Sequence, residues 1–314
     1  MSEVYTARAP GKLVVMGEYA VLLGHAGVVG AVDVYAKATR TVGRGRLRMD
    51  TGGLLQACID EALDTGVIDE APHEAIDVDT NAFVDAAGRK LGVGSSAAAA
   101  VVFLRVLCPT LDTDGLHALA QRAHRRFQQG KGSGIDVAAS VYGGLVQFRR
   151  HSDIADDVSA SPLVMRLADA HVTALVAWSG KSQDTRTFVG AVQQTTTATP
   201  SLTAMAEATQ AFLAALAAHD GAAVIDAVDR GRRALVFLGD ACGIDIVSAP
   251  HAAIADIARA HGGTAKPSGA GGGDVALAIV PTPHESDARA ALDAAGYPVL
   301  PLTLGATGAL LARA

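Results

Sequence analysis

Aromatic residues are scarce, 4% of a 314-residue chain, with one Trp, five Tyr and seven Phe. Stacking platforms for single-stranded nucleic acid need more than that. A basic surplus is missing too: 26 Lys and Arg face 32 Asp and Glu, a formal net charge of −6. That balance argues against a dedicated nucleic-acid binder. Long hydrophobic runs are absent. The longest, Ala97 to Leu104, falls far short of the ~20 residues that span a bilayer. Glu3 stands where a secretory leader carries basic residues, and no cleavage pattern follows Leu13 to Met16. The three cysteines, Cys58, Cys108 and Cys242, are too few and too scattered for a disulfide framework. Ten histidines form no Cys/His cluster at zinc-ligand spacing. A cytoplasmic protein with reduced, buried thiols is expected, with neither nucleic acid nor membrane as partner.

What is present is apolar bulk and glycine. Half of the residues are hydrophobic, enough for a sizeable core. The length corresponds to about two domains at ~150 residues each. A poorly marked boundary near Leu167 divides the chain into 1–167 and 168–314. The 34 glycines exceed the ~7% norm, and they cluster.

The pattern predicts strands at Lys12–Met16, Val28–Ala38 and Ala75–Val84. Helices are expected at Leu54–Leu63, Ala97–Leu107 and Leu116–Gln129. The Ala97 segment is apolar all round and therefore buried, and Pro109 ends it. Gly130 to Asp136 reads as a loop before an apolar element at Val137–Val141. Val158–Ala170 is a transition, Val172–Trp178 a strand, and Thr195–Ser201 a surface connection. Helices follow at Ala204–Ala218, Ala222–Leu238 and Pro250–His261. Ala265–Gly273 reads as a glycine-rich loop. Ala276–Val280 is a buried strand, Asp287–Ala295 a helix and Val299–Thr303 a closing strand.

Three loops carry chemistry. Lys90-Leu-Gly-Val-Gly-Ser-Ser-Ala97 precedes a helix. Its glycines let backbone approach an anion, and a helix N-terminus supplies free N–H groups and a positive dipole end. Ser95 and Ser96 can cap the helix, bind phosphate or hold a metal ion. Neither the Walker A pattern nor the third glycine of a dinucleotide fingerprint is present. Lys266-Pro-Ser-Gly-Ala-Gly-Gly-Gly-Asp274 is a second anion cradle; a plain turn rarely bears the entropy of so many glycines. Gly130-Lys-Gly-Ser-Gly-Ile-Asp136 delivers one carboxylate. Taken singly, Asp136 fits a cap, and Lys12, in Pro10-Gly-Lys12, fits a solvated surface lysine.

The combination is more specific. Ala9-Pro-Gly-Lys-Leu-Val-Val-Met-Gly-Glu-Tyr-Ala-Val21 resembles the first motif of the GHMP kinases, named for galactokinase, homoserine, mevalonate and phosphomevalonate kinases. Leu91-Gly-Val-Gly-Ser-Ser-Ala-Ala98 resembles their ATP phosphate loop. Lys266 to Asp274 resembles the third motif. The three stand in family order over nearly the whole chain. Tyr19, the stretch Gln129 to Ser140, Tyr142-Gly-Gly144, and Trp178 to Thr185 are most similar to the phosphomevalonate kinase branch. Mevalonate kinases have His in place of Tyr19, and an Mg²⁺-binding Glu where this chain has Arg125.

The resemblance implies a two-domain α+β fold. Its N-terminal half is like ribosomal protein S5 domain 2 and its C-terminal half is ferredoxin-like, with ATP between them. It also implies ATP and Mg²⁺ as cofactors and phosphomevalonate as the small-molecule substrate. ATP phosphates would lie on Gly92, Gly94, Ser95, Ser96 and Ala97, with Ser96 or Ser95 partly holding Mg²⁺. Lys12 would stabilise charge at the acceptor oxygen, and Asp136 would orient or deprotonate the attacking group. Glu18, Tyr19, Lys131, Ser133, Gly134, Lys181, Ser182 and Arg186 would serve the acceptor side. Ser268, Gly269, Ala270, Gly271, Gly272 and Asp274 would line the cleft beside them. The rival expectations are mevalonate kinase, diphosphomevalonate decarboxylase, and a non-catalytic ligand sensor of the same fold.

Overall fold

A computed structural model describes residues 3–43, 45, 52–85, 88–182, 185–195 and 198–313. The first half is built on two long antiparallel strands, β1 (Val4–Met16) and β2 (Gly27–Thr41). One edge of β2 pairs with β3 (Ile76–Asp79) at one end and β4 (Leu145–Arg150) at the other, and β5 (Val158–Leu163) extends the sheet from β4. The β1–β2 register slips between Pro10 and Gly11. Pro10 has no N–H to give the ladder, and an irregularity of this kind re-aims the side chains beside it. Lys12 follows directly after this slip.

Four helices accompany this sheet: α1 (Leu54–Asp64), α2 (Ser95–Leu107), α3 (Thr113–Phe127) and α4 (Ile135–Tyr142). α2 packs against β1, β2 and β3 and also against α1, α3 and α4. That position explains its composition: every residue from Ala97 to Leu107 except Arg105 is buried. An all-apolar helix is stable only when surrounded.

The second half holds a three-stranded antiparallel sheet, ordered β6 (Val172–Trp178), β8 (Val275–Pro281), β7 (Thr264–Pro267). Between β6 and β7 run α5 (Thr185–Gln194), α6 (Thr199–Ala217), α7 (Gly221–Cys242) and α8 (Ala249–Ala260). α9 (Glu285–Ala294) follows β8. The chain then meets β6 once, at the Ala177–Val299 bridge. Counting that bridge as a vestigial fourth strand gives a β-α-β-β-α-β order of ferredoxin-like type.

Several predicted boundaries change. Val299–Thr303 is not a strand beyond that single bridge, because Leu300 N–H bonds Val176 while Leu302 N–H turns back to Leu300. The closing strand is β9 (Leu310–Arg313), which pairs with β1 in the first sheet. A cut at 167/168 therefore separates β9 from the sheet it completes. Residues 264–267 are strand, not loop, since they pair with β8. The Ala75–Val84 strand stops at Asp79, where the Asp79 side chain accepts from the Asn81 N–H and a 3₁₀ turn begins. Val158–Ala170 contains β5 and a 3₁₀ turn. Of the Thr195–Ser201 connection, residues 199–201 already belong to α6, and 196–197 lie outside the described residues. Cys58 and Cys108 are buried, whereas Cys242 is half-buried. No described helix is long and apolar enough to cross a membrane.

The two halves are joined by side chains that the sequence places 248 to 254 positions apart. Lys266 on β7 and Glu18 after β1 form an ion pair with both side chains buried. Lys266 Nζ also donates to the Pro267 carbonyl at 3.1 Å. Ser268 Oγ donates to Val14 O at 3.1 Å, and Tyr19 Oη to Ala270 O at 2.5 Å. Burial pushes the Lys266 pKa down while Glu18 opposes the shift. Removing one member of such a pair strands the other charge. Lys266→Met should therefore cost about 3–5 kcal/mol in urea denaturation, and Glu18→Gln/Lys266→Met should recover much of it. A single variant as stable as the parent would refute this account.

Candidate active site

The site forms where four segments meet. The first is the re-aimed end of β1 bearing Lys12. The Lys12 N–H donates to Val93 O at 2.8 Å, which stitches β1 to the Gly92–Ser96 loop. Gly94 is the N-cap of α2 and has φ of 83°. A Cβ there would sit 2.7 Å from Lys12 Cγ, so the lysine stem occupies the space where a side chain would be. Gly92, at φ 72°, is crowded in the same way by Asp274 at 2.8 Å. Both positions demand glycine for conformation and for space.

The loop leads straight into α2, whose first turn holds Ser95, Ser96 and the buried Ala97. Its unpaired N–H groups and dipole make this end receptive to anions. Ser95 and Ser96, with Lys90, Thr80 and Asp77, line an open cavity of about 450 Å³.

A second, smaller cavity of about 150 Å³ is lined by Lys12, Glu18, Tyr19, Ser133, Asp136 and the third motif's Gly269 and Ala270, among others. Asp136 is in the first turn of α4, not in a loop, because Gly134 at φ 79° caps the helix and Ile135 begins it. Its carboxylate accepts from the Val137 N–H at 3.1 Å, a favourable place for negative charge. Ser140, also on α4, donates to Pro10 O at 2.9 Å and ties this helix to the first motif.

Asp274, at φ 57°, closes the arrangement. Its N–H donates to Lys181 O at 2.7 Å and its carbonyl accepts from the Ser179 N–H at 2.9 Å. The third motif thereby touches both the Gly92 loop and the 179–182 segment.

Not every expected residue faces the cavities. Glu18 lines the smaller one but is committed to Lys266. Burial, with the Glu18 charge beside it, pushes the Tyr19 phenol pKa well up, so this hydroxyl stays a donor. Ser268 is buried and bonded to Val14. Gly271 and Gly272 pack on Ile246 instead, with the Gly272 N–H donating to its carbonyl at 2.8 Å. Lys131 and Lys181 are exposed, and neither they nor Ser182 line either cavity. Arg186 is on α5, and its side chain lies outside the described residues. Arg125 faces Asp153 at 3.8 Å, and burial with nearby Arg150 pushes its pKa down.

The sequence pattern gave no role to Gln128 or His124, and named Lys266 only as the start of the third motif. His124 is 1% exposed. It lies on the buried face of α3 with Leu116, His117, Ala120 and Gln121. Polar residues on an apolar stripe were the available signal.

Two outcomes follow. Gly94→Val should displace Lys12 and weaken tripolyphosphate binding, read by calorimetry, about tenfold or more while far-UV dichroism is kept; unchanged binding would remove the loop from the site. His251 is fully buried, and its Nδ1 lies 2.8 Å from Ser248 Oγ. Burial above all lowers its pKa from 6.5 to about 4. The unfolded chain then binds the extra proton between these values. Stability is complete above the unfolded pKa and declines as the pH falls toward 4, by roughly 3 kcal/mol at most from this group. His251→Gln should flatten that decline in urea titrations at stepped pH.

The GHMP kinases N terminal domain matches residues 65–144. A phosphomevalonate kinase of Streptomyces sp. (strain CL190) is 32% identical over 243 residues, which is 69% of this chain and 65% of that protein. The match thus spans somewhat under two thirds of that relative's length. The Lin0012 protein of Listeria innocua has the same fold, with a TM-score of 0.85 at 24% identity over 98% of this chain and 99% of that one. A Streptococcus pneumoniae phosphomevalonate kinase, solved with phosphomevalonate and AMPPNP, superposes with a TM-score of 0.83 at 20% identity over 95% and 99% of the two chains. Three glycine loops thus converge on one lysine and one aspartate in a chain whose residues 65–144 match the GHMP kinases N terminal domain and whose fold is that of these solved structures.

Proposed function

We propose that this protein transfers the γ-phosphoryl group of ATP to the phosphate of (R)-5-phosphomevalonate, giving 5-diphosphomevalonate and ADP in the mevalonate route to isoprenoids. The observation that carries this reading is the convergence of Lys12, Asp136 and the third glycine loop on one cavity beside the α2 N-terminus. Likeness to the Streptomyces phosphomevalonate kinase supports the choice of acceptor. Residues 1–167, which carry the ATP phosphate loop, and residues 168–314 form its two domains, with β9 returning to the first sheet. The cytoplasm is the compartment assigned, in keeping with cysteines that are free.

Phosphoryl transfer depends on positioning and charge neutralisation more than on covalent help. The backbone of Gly92 to Ala97 holds phosphate oxygens, and Lys12 faces the charge that develops between donor and acceptor. The acceptor is itself a phosphate oxygen, anionic near neutral pH. Asp136 therefore has little proton to remove, and its role is to orient the acceptor and Lys12. Lys131, Lys181 and Arg186 are the cations assigned to the acceptor's phosphate and carboxylate.

Magnesium takes one or two protein oxygens together with phosphate oxygens and retained waters. Ser96 and Ser95, in the first turn of α2 beside the glycine loop, are hard oxygen donors, and they fit that demand. Such a site needs no cluster of three ligating side chains, and among the described residues there is none. When bound, the ion neutralises β- and γ-phosphate charge.

ADP formation should be seen with 5-phosphomevalonate and not with mevalonate. Lys12→Met should lower kcat by about 10²-fold or more, and Asp136→Asn by roughly tenfold. Turnover with mevalonate alone would reassign the acceptor, and turnover with neither would restore the sensor reading.

A further inference from the structure

His124 sits between the two halves of this chemistry. It belongs to α3, while Ser96 is on α2 and Asp136 on α4. Its Nε2 lies 3.1 Å from Ser96 Oγ. Its Nδ1 lies 3.7 Å from Asp136 Oδ1 and has no hydrogen-bond partner among the described residues. The side chain is 1% exposed, so solvent does not satisfy that nitrogen. Its ring is packed near Phe127, with centroids 6.2 Å apart. A buried polar atom without a partner is costly. Here the nearest compensation is a carboxylate that a shift of under an ångström would bring into hydrogen-bond range.

From this geometry we propose that His124 is a positioning residue that sets the polarity of the Ser96 hydroxyl and anchors Asp136. The inference rests on the phosphoryl-transfer reading above. A proton on Nδ1 faces Asp136, and Nε2 is then a lone-pair acceptor. Ser96 donates its hydroxyl hydrogen inward to Nε2, which leaves the oxygen lone pairs for the phosphate-loop side. Ser96 thus meets the nucleotide as an acceptor, the role a magnesium ligand requires. With the proton on Nε2 instead, Ser96 would be free to point its own hydrogen outward and would act as a donor to phosphate. Asp136 selects between these two states by attracting the Nδ1 proton. This parallels the way a second partner fixes the tautomer of a ligating or catalytic histidine in other enzymes.

Two half-mimics separate the functions. In His124→Gln the amide can reach the Nε2 position, and in His124→Asn the Nδ1 position. AMPPNP binding by calorimetry, with and without Mg²⁺, reads the Ser96 side independently of turnover. His124→Asn should lose about tenfold of the affinity that Mg²⁺ adds, with metal-free binding unchanged, whereas His124→Gln should keep it. His124→Gln should instead lower kcat with little change in nucleotide KM. Ser96→Ala should reproduce the His124→Asn loss, and Ser96→Ala/His124→Asn should be no worse than either. Equal losses in the Gln, Asn and Leu variants, or additive losses in the double variant, would reduce His124 to a packing residue. Binding is read without an acceptor, so the assignment of His124 is decided even if the parent protein turns over no phosphomevalonate, the result that would sink the acceptor assignment alone.

Discussion

Lys12 and the Gly92–Ser96 loop share one hydrogen bond, from the Lys12 N–H to Val93 O at 2.8 Å, and the cleft is arranged around that seam. It lies just past the slip in the β1–β2 register between Pro10 and Gly11, with Lys12 itself still paired with Ala31 across the ladder. It is possible at this distance only because Gly94 has no side chain where the lysine stem passes. A strand, a loop and a helix N-terminus are thereby held as one unit. The lysine is aimed by backbone, not by a flexible side-chain contact, which keeps the entropic cost of holding its position low.

The third motif reaches this unit from the other half of the chain. Glu18–Lys266 is the deepest contact between them, flanked by the Ser268–Val14 and Tyr19–Ala270 hydrogen bonds. Pairs of buried charge add little net stability over apolar packing, but they punish misplacement heavily. The same interlock that joins the halves sets the height of Gly269 and Ala270 over the smaller cavity. Glu18, expected to touch the acceptor, gives its Oε1 to this interlock, while its Oε2 has no hydrogen-bond partner among the described residues. Its neighbour Tyr19 is similarly occupied, and it accepts a positive φ of 61° to be so.

Local pattern accounted well for α1, α2, α3, β6 and β8, where periodicity or apolar runs are long. It did worse where pairing partners lie far along the chain. Thr264–Pro267 reads as the start of a glycine loop, yet β8 captures it as a strand. Val299–Thr303 has strand composition, yet it makes one bridge while the less conspicuous Leu310–Arg313 pairs with β1. Strand identity depends on an available edge, which no local window contains.

The sequence by itself determined the family resemblance, the three glycine loops, and the residue types a phosphate-handling site requires, because glycine spacing and helix-starting serines are local signals. Tertiary structure alone decided which of those residues meet. It drew Lys12 onto Gly94, set Asp274 against Gly92, buried Lys266 on Glu18, and lodged His124 between Ser96 and Asp136. Each of these contacts joins elements whose separation in sequence carries no information about their distance in space. They are settled by how helices and sheets pack, and packing is a property of the whole chain.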